Sequence, residues 1–272
     1  MVAEAKQGAA MPTEVEASLA IAALDPGAAA RKLAGLRRLG RYRLLPRPPR
    51  QIRDTYVDTP DMELARRLVS LRLRQANDDL VLTLKGDDAS AGPGLKVRRE
   101  LELPWSEEGL ERIWAELAGY GVRLLGEPAR REDAPLARLR ERGLVVLQER
   151  ATRRLVRDVV AAANAAAEAA EPLAELVIDR VDFTFHGRTI RHREVEVELK
   201  AGRERALVSE LLAALSAKAP GTLLPWSVPK LALGLWLERM LLAGALEAWL
   251  APDGALLPEA YPAILAFGRG GG

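Results

Sequence analysis

Charged and apolar residues alternate along four short segments of the chain, and this pattern limits the possible folds more than any other feature of the sequence. Successive side chains of a strand point to opposite faces, so each segment predicts a strand with one apolar and one charged face. The segments are VSLRLRQ at 69–75, LVLTLKG at 80–86, LKVRRELELP at 95–104 and HREVEVELK at 192–200. Further strands are predicted at 52–58, 143–150, 152–160 and 174–185, and one from Thr13 that carries Glu14 and Glu16 on one face.

The simplest interpretation of such strands is an antiparallel sheet with its apolar face on a core and its charged face in water. Two observations favour another arrangement. The charges are segregated by sign, with acids on the first and last strands and bases on the middle ones. Helical patterns at 26–39, 106–120, 203–217 and about 230–250 supply helices to cover the apolar faces. Helices outside a sheet would turn its charged face inward, and closing that sheet into a barrel would create a charged lumen.

A charged lumen is stable only if its charges are paired or occupied, because an isolated buried charge is costly. Carboxylates bind hard divalent cations, while Lys and Arg bind phosphate oxygens. Acids and bases that face each other across one lumen therefore suit a complex of a divalent cation with a polyphosphate. Other chemistry is excluded: with no Cys and only 2 His, the chain cannot form disulfides, thiolate zinc sites, cysteine nucleophiles or a three-histidine zinc site.

The formal charge is almost balanced, with 40 Lys and Arg against 38 Asp and Glu, which gives a net charge of +2. We therefore expect neither a nucleic-acid partner nor membrane binding, and any basic site must come from local clustering. The N-terminal residues have no apolar segment of signal-peptide length, and the apolar stretch at 231–251 is interrupted by Glu238, Arg239 and Glu247. A cytoplasmic location is expected.

Several stretches together resemble the CYTH superfamily, the triphosphate tunnel metalloenzymes. They are EVEASLAI near the start, TYVDTPDMELARRLVSLRLRQANDDLVLTLKG in the middle, KVRRELELP after it and REVEVELKAG late in the chain. The resemblance covers about residues 13 to 236 and implies an α+β fold, an eight-stranded antiparallel β-barrel with helices packed outside. Its tunnel would bind a triphosphate or polyphosphate small molecule with Mg²⁺ or Mn²⁺. The strand motifs are most similar to those of the bacterial inorganic triphosphatases, and we expect a member without the helical CHAD domain that follows in many of them.

The resemblance also implies roles for individual residues. The implied metal ligands are Glu14, Glu16, Glu100, Glu102, Asp179, Glu194, Glu196 and Glu198. The implied substrate-binding residues are Arg72, Arg74, Lys85, Lys96, Arg98, Arg150, Arg154, Lys200 and Lys230. Within these sets, Glu14, Glu16, Lys85 and Arg98 are expected to be catalytic.

The chain departs from the family pattern at two positions. Ser18 stands where the ExExK motif of the family has Lys, and Leu233 stands where an Arg is usual. Each departure removes a cation expected to contact phosphate, and such a contact contributes about 1.5–3 kcal/mol. The leading hypothesis is metal-dependent hydrolysis of inorganic triphosphate to diphosphate and phosphate. The alternatives are a non-catalytic protein that binds triphosphate or polyphosphate, and another activity of the family such as that of a thiamine triphosphatase or an adenylyl cyclase.

The remaining parts of the chain are interpreted as structural. We predict a flexible tail at 1–12, one tunnel domain at 13–250 and a C-terminal tail at 251–272. An alanine-rich insert at 161–172 is either a short helix or a loop, and the oligomeric state is left open. The family-like stretch YVDTPD is interpreted as a structural turn that contains Tyr56 and Asp58. Trp226 is interpreted as a packing residue, and His192 as a polar group at the tunnel mouth.

Overall fold

The computed structural model describes residues 13–92, 95–125, 134–162 and 171–270, with their side chains except at 87–92. Its strands are β1 (Thr13–Ile21), β2 (Arg38–Leu39), β3 (Tyr42–Pro46), β4 (Arg50–Asp58), β5 (Ser70–Ala76), β6 (Asp79–Gly92), β7 (Leu95–Pro104), β8 (Val145–Ala161), β9 (Ala174–Phe185), β10 (Arg188–Leu199) and β11 (Leu223–Pro225). Its α-helices are α1 (Pro26–Ala34), α2 (Glu63–Arg66), α3 (Glu107–Gly119), α4 (Pro135–Glu141), α5 (Ala206–Lys218), α6 (Lys230–Leu242) and α7 (Ala260–Arg269). None of the helices in these residues is long and apolar enough to cross a membrane.

Eight of the strands form a closed barrel in which every neighbouring pair is antiparallel. The order around the barrel is β8-β4-β5-β6-β7-β1-β10-β9, and β9 pairs with β8 to close it. The short strands β2 and β3 extend the sheet from β8, and β11 pairs with β1. The predicted fold, an α+β barrel of eight antiparallel strands with helices packed outside, is confirmed.

The hydrophobic core lies outside the barrel wall, between the strands and the helices. Under α1 and α5 it contains Leu33, Val197 and Leu211, and under α3 it contains Leu84 and Ile113, all of them buried. Burial of apolar area at about 25 cal/mol per Å² favours this arrangement. Since the apolar faces of the strands point to the helices, the alternating charged faces must point into the lumen.

A separate apolar cluster fills one end of the lumen. Ala20, Phe183 and Ile190 lie on the inward faces of β1, β9 and β10, where they pack with Trp226 and with α6 and α7. Trp226 has no exposed surface, so its interpretation as a packing residue is confirmed. The charged part of the lumen therefore ends at this cluster.

The predicted helix at 26–39 is shorter than expected. It ends at Ala34, and β2 and β3 form a hairpin in which Leu39 pairs with Tyr42. Gly40 adopts a φ of +55° in the turn, a left-handed conformation that glycine tolerates without steric cost. The sequence RRLGRYRLL therefore folds as a hairpin that buries Leu39 and Tyr42 in the core under α5.

Three other boundaries differ from the predicted ones. The strands expected at 143–150 and 152–160 form one long strand, β8, and the last predicted helix ends at Leu242. The predicted C-terminal tail contains α7, whose Tyr261 is buried in the apolar cluster at the end of the barrel. The glycine-rich ending of the sequence obscured the helical spacing of the apolar residues before it.

The predicted tail at 1–12, the last two residues and most of the alanine-rich insert lie outside the described residues.

Candidate active site

The barrel lumen contains a cavity of about 440 Å³ whose lining is mostly charged. Its carboxylates are Glu14, Glu16, Asp54, Glu100, Glu102, Glu175, Asp179, Glu194, Glu196 and Glu198. Its cations are Arg50, Arg72, Arg74, Lys85, Lys96, Arg98, Arg150, Arg154, Lys200 and Lys230. Every residue for which the sequence predicts a metal, substrate or catalytic role lines this cavity. Their individual roles remain predictions.

Asp54 is the centre of the arginine-rich part of the tunnel. It lies on β4 between β5 and β8, and its side chain is 1% exposed. Arg74 Nε donates to Asp54 Oδ1 at 2.7 Å, Arg150 Nη2 donates to Oδ2 at 2.9 Å, and Arg72 Nη1 lies 3.8 Å from Oδ2. Burial alone would raise the pKa of Asp54, but the three guanidiniums hold it well below the ordinary range. Asp54 is therefore an ionised anchor for three cations.

Tyr56 shares this arginine cluster. Its hydroxyl accepts hydrogen bonds from Arg150 Nη2 at 2.7 Å and from Arg72 Nη1 at 3.2 Å, and the Arg150 guanidinium lies 4.7 Å from the ring centroid. Burial would raise the pKa of Tyr56, yet the positive charge of Arg150 and Arg72 lowers it to about 8. The interpretation of Tyr56 as part of a turn is therefore wrong, because its side chain faces the tunnel.

The acids of β1 are paired with the bases of β6 and β7. Lys85 Nζ donates to Glu14 Oε2 at 3.0 Å, and Arg98 donates to Glu14 at 3.1 Å and to Glu16 at 2.6 Å. Lys85 also lies 2.9 Å from Glu100 Oε2. Although burial would raise the pKa of Glu100, Lys85 and other neighbours lower it to about 2. Acids and bases expected to bind different parts of a ligand thus neutralise each other.

A second acidic cluster lies deeper in the lumen. Asp179, Glu194 and Glu196 each offer a carboxylate oxygen, and these oxygens lie within 4.8 Å of one another. Arg154 Nη2 donates to Asp179 Oδ2 at 2.8 Å and to Glu196 Oε2 at 3.0 Å. Lys230 Nζ lies 2.5 Å from Glu196 Oε1 and 3.4 Å from Asp179 Oδ2, and it also contacts Glu194. Two cations therefore balance part of the charge of three carboxylates.

The deep cluster has the chemistry of a site for a hard divalent cation. Burial would raise the pKa of Glu194, but Lys230 lowers it to about 2, and Lys230 and Arg154 likewise hold the pKa of Glu196 well below its ordinary value. Glu194 and Glu196 can therefore serve as anionic oxygen ligands, as Mg²⁺ and Mn²⁺ prefer, and Asp179 adds a third carboxylate oxygen. Among the described residues, this is the acidic group whose ligand atoms converge closely enough to hold an ion.

Glu198 differs from the other acids because it lies among like charges. It is opposite Glu16 in the pairing of β1 with β10. Burial raises the pKa of Glu198 to about 7, and Glu14 and Glu175 add to this shift. A cation that bound beside Glu198 would reverse the effect, so binding there would release a proton near neutral pH.

The other predicted residues have partners within the lining. Lys96 Nζ lies 3.6 Å from Glu16 Oε1, and Lys200 Nζ donates to Glu175 Oε2 at 3.1 Å. Glu102 accepts a hydrogen bond from Thr83 Oγ1 at 3.3 Å. These residues extend the charged lining beyond the two ion-pair centres.

The family model described as the CYTH domain matches residues 22–220 of the chain. The chain belongs to the CYTH family. A search of the curated proteins found no match. The match starts after β1 and ends before α6, so it is the barrel geometry that brings Glu14, Glu16 and Lys230 to the CYTH tunnel.

Solved structures similar to this CYTH chain include two cyclase-like proteins. A putative adenylyl cyclase from Hippeastrum, described as having a dominant triphosphatase activity, is 17% identical with a TM-score of 0.49, and the match covers 82% of this chain and 95% of that one. A putative adenylate cyclase from Bacillus halodurans is 17% identical with a TM-score of 0.43, and the match covers 80% and 96%. A protein from Pyrococcus horikoshii is 16% identical with a TM-score of 0.43, over 82% and 99%.

The two departures from the CYTH pattern have clear positions in the structure. Ser18 is fully buried on β1, directly opposite Glu196, and its hydroxyl has no hydrogen-bond partner in the described residues. Lys230 Nζ already lies 2.5 Å from Glu196, so an ammonium group is present where a Lys at position 18 would reach. Leu233 is buried in the apolar cluster at the end of the barrel, where a charged side chain would have no water.

His192 lies at the closed end of the CYTH tunnel, not at its mouth as predicted. Its side chain has no exposed surface, with Nδ1 3.3 Å from Tyr261 Oη and Nε2 3.1 Å from Glu194 Oε2. The predicted position is wrong because β10 continues through the apolar cluster, and the alternation by itself gives no direction along the tunnel. His192 therefore connects the deep acids to the packing residues of α7.

Sequence reasoning missed Asp54. Its strand carries Ile52, Asp54 and Tyr56 with the same parity, so the charged position looked like part of an apolar face. The available signal was the run of arginines on the neighbouring strand, which required a buried carboxylate partner. Asp58, in contrast, has the predicted structural role, because its carboxylate accepts from the backbone N–H groups of Leu64 and Ala65 at the start of α2.

Proposed function

We propose that this CYTH chain hydrolyses a triphosphate inside its tunnel with a divalent cation as cofactor, and that inorganic triphosphate is the substrate. One observation carries the proposal: the same lumen holds a cluster of arginines on β5 and β8 around Asp54 of β4, and a compact carboxylate cluster on β9 and β10. A polyphosphate needs cations along its length, and a cation-bound polyphosphate also needs carboxylates.

Different cations of the tunnel would bind different phosphates of the substrate. Arg72, Arg74 and Arg150 would bind phosphate oxygens through paired N–H donors, the geometry in which guanidinium recognises phosphate best. Lys85 and Arg98 would bind the next phosphate and stabilise the charge that develops on its oxygens as the phosphoanhydride bond breaks. Their carboxylate partners hold both cations in place before the substrate arrives.

The deep carboxylates would hold the cofactor. Asp179, Glu194 and Glu196 supply the oxygen ligands, and a bound divalent cation neutralises phosphate charge and lowers the pKa of a coordinated water. Burial would lower the pKa of Lys230, but Glu194 and Glu196 keep it above its ordinary value. Lys230 therefore stays protonated and can donate to an anionic leaving group.

The lining also favours inorganic triphosphate over an organic triphosphate. A purine or thiazole ring needs an apolar or aromatic surface to contact. Among the described residues, the apolar side chains that line the tunnel are Val228, Pro229 and Leu231, and the ring of Tyr56 is covered by the Arg150 guanidinium. The charged lining fits a ligand that consists of phosphates alone.

The first test is phosphate release from inorganic triphosphate. We expect release with Mg²⁺ or Mn²⁺ and none with EDTA. Arg98→Gln should lower kcat/KM about tenfold to a hundredfold, because it removes charged hydrogen bonds to the reacting phosphate. Colorimetric measurement of phosphate over a range of substrate concentrations gives both parameters.

Arg99→Gln is the matched control for this test. Arg99 is the next residue of β7, it is exposed, and its side chain points away from the tunnel. Its variant should hydrolyse triphosphate at the wild-type rate. If the wild-type chain releases no phosphate with either metal, hydrolysis of this substrate is contradicted.

The second candidate function is binding of triphosphate without hydrolysis, and Ser18 is the observation that favours it. A wild-type chain that is stabilised by triphosphate but releases no phosphate would support this function. In that case a Lys at position 18 would restore a missing catalytic cation, and turnover would rise from almost zero.

Under the proposed function, Ser18→Lys should instead lower turnover several-fold. The new ammonium would lie in a fully buried position beside Lys230, where two like charges repel and Glu196 already has a partner. Ser18→Ala should keep wild-type turnover, because the Ser18 hydroxyl makes no hydrogen bond within the described residues. Steady-state hydrolysis and the melting temperature of both variants distinguish the two functions.

A further inference from the structure

A second groove, of about 320 Å³, lies on the outer face of the barrel between α1 and strands β8, β9 and β10. Four arginines line it: Arg31 of α1, Arg153 of β8, Arg180 of β9 and Arg193 of β10. The three strand residues face outward, because the residues beside them in the sequence, Arg154, Asp179 and Glu194, line the tunnel. The groove therefore lies on the opposite side of the barrel wall from the tunnel, and Asp179 of β9 lines both cavities.

The strand arginines form one row across the sheet. Arg153 is directly opposite Arg180 in the pairing of β8 with β9, and Arg180 is directly opposite Arg193 in the pairing of β9 with β10. Like charges that face each other on adjacent strands destabilise a sheet. A row of three arginines on one face is therefore unfavourable unless an anion compensates it.

The chain supplies little of that compensation. Arg180 is paired with Asp182 at 2.9 Å, whereas Arg31, Arg153 and Arg193 have no carboxylate within salt-bridge distance in the described part of the chain. Arg180 Nε is buried without a hydrogen-bond partner among the same residues. Burial and the positive charge of Arg191 and Arg180 lower the pKa of Arg193, although Asp253 and Asp182 act in the opposite direction.

The acids near the groove are already engaged. Asp25 accepts from the Ala28 N–H at 2.8 Å and caps α1. Asp182 also accepts from Arg191 Nε at 2.9 Å, and Asp253 accepts from Arg191 Nη1 at 2.8 Å. Each of these carboxylates is therefore shared with another group, and among the described residues none forms a salt bridge with Arg31, Arg153 or Arg193.

Two of the guanidiniums converge at one point of the groove. A methyl group added to Gly27 would lie 3.2 Å from Asp25 Oδ1, 3.4 Å from Arg31 Nη1 and 3.6 Å from Arg193 Nη2. Both guanidiniums therefore approach the same small space from opposite sides, α1 and β10. This arrangement presents N–H donors from two side chains to one anionic group.

The floor of the groove is aliphatic. It consists of Ala30, Ala34 and Leu155, which are half-buried, and Ile178, which is buried. A ligand that was only an anion would leave this carbon surface in water. A ligand with an anionic group and a carbon body would use both surfaces, and the volume lies in the range of small-molecule sites, roughly 300–1,000 Å³.

We propose that this outer groove binds a small organic phosphate, with the phosphoryl group held by Arg31, Arg153 and Arg193 and the carbon body on the aliphatic floor. Phosphate fits because a guanidinium donates two parallel N–H bonds to it, and several guanidiniums can share its oxygens. The site is separate from the tunnel and does not depend on the function proposed for the tunnel.

Calorimetric titration with phenyl phosphate, at low salt and without divalent cations, tests the proposal. The wild-type chain should bind phenyl phosphate about tenfold more tightly than inorganic phosphate, since only the former covers the floor. The double variant Arg153→Gln with Arg193→Gln should weaken phenyl phosphate binding at least tenfold. Arg239→Gln, an exposed arginine on α6, is the matched control and should bind as the wild type does.

Arg98→Gln separates the groove from the tunnel, because Arg98 lines only the latter. Loss of phenyl phosphate binding in this variant, with binding intact in the groove variant, would overturn the proposal. Equal affinity for inorganic phosphate and phenyl phosphate would overturn it as well. Binding of RNA or of a polyglutamate peptide to the groove, without any response to phenyl phosphate, would point to another ligand class and also overturn it.

The melting temperature gives a second readout, measured first without a ligand and then with phenyl phosphate. Arg193→Gln alone removes one member of the like-charged row, so it should raise the melting temperature of the ligand-free chain. Phenyl phosphate should then stabilise the wild type more than this variant. A variant that melts below the wild type and gains as much from phenyl phosphate would contradict the proposed role of Arg193.

Discussion

Glu196→Gln should lower the turnover of inorganic triphosphate at least a hundredfold, because it removes one anionic ligand from the deep carboxylate cluster. Both Arg154 and Lys230 contact Glu196, at 3.0 Å and 2.5 Å. With a neutral amide at 196, two carboxylates would face two cations, and no net negative charge would remain to attract a divalent cation. Calorimetric titration with Mn²⁺ should show a matching loss of affinity.

The fold should tolerate this substitution. Gln is isosteric with Glu, and Lys230 and Arg154 keep Asp179 as a partner at 3.4 Å and 2.8 Å. Glu149→Gln is the matched control, since Glu149 is an exposed acid on the outer face of β8. Wild-type turnover in Glu196→Gln, with Mn²⁺ affinity unchanged, would show that the deep cluster does not hold the catalytic cation.

The architecture was predictable from sequence because one pattern repeats on several strands. The alternation in HREVEVELK assigns Glu194, Glu196 and Glu198 to one face whatever the strand pairs with. Because the helices must pack on the apolar faces of the strands, the charged faces can only point into the lumen. The resemblance to the CYTH superfamily added the number of strands and the closure of the barrel, which periodicity alone does not supply.

The partners within the tunnel were not predictable in the same way. Alternation gives the face of a side chain but neither its height along the barrel nor its neighbour across the lumen. Lys230 comes from the start of α6, far from β10 in sequence, and only the closed barrel brings it to Glu196. His192 shares a face with Glu194 yet lies among packing residues, because the tunnel ends between them.

The replacement of Asp54 by Asn should destabilise the fold more than any other single substitution in the tunnel. It would leave three guanidiniums, those of buried Arg72 and Arg150 and of half-buried Arg74, without their shared carboxylate. Removal of one partner from a buried ion pair costs about 3–5 kcal/mol. For a chain of this size we expect a fall in melting temperature of about 10 °C. Asp253→Asn breaks an exposed aspartate–arginine pair and should change the melting temperature little.

Triphosphate should partly rescue this variant, which connects its stability to the proposed function. The three guanidiniums that lose Asp54 are the ones proposed to bind phosphate oxygens. A bound triphosphate would replace the missing negative charge, so it should raise the melting temperature of Asp54→Asn more than that of the wild type. Equal shifts in both proteins would contradict a phosphate site at this arginine cluster.

The pH dependence of stability tests whether the Asp54 carboxylate is the group that stabilises the three arginines. Its pKa is held well below the ordinary aspartate value in the folded chain, because three guanidiniums outweigh the effect of burial. A carboxyl whose folded pKa is depressed adds stability that is complete above its unfolded pKa and is lost as the pH falls through the folded pKa. The difference in unfolding free energy between the wild type and Asp54→Asn should therefore stay constant from neutral pH down to about pH 5. It should shrink only below the ordinary aspartate pKa, near 3.8, and urea denaturation across this range measures it. A difference that disappeared already between pH 7 and pH 5 would mean that another group holds the three arginines together.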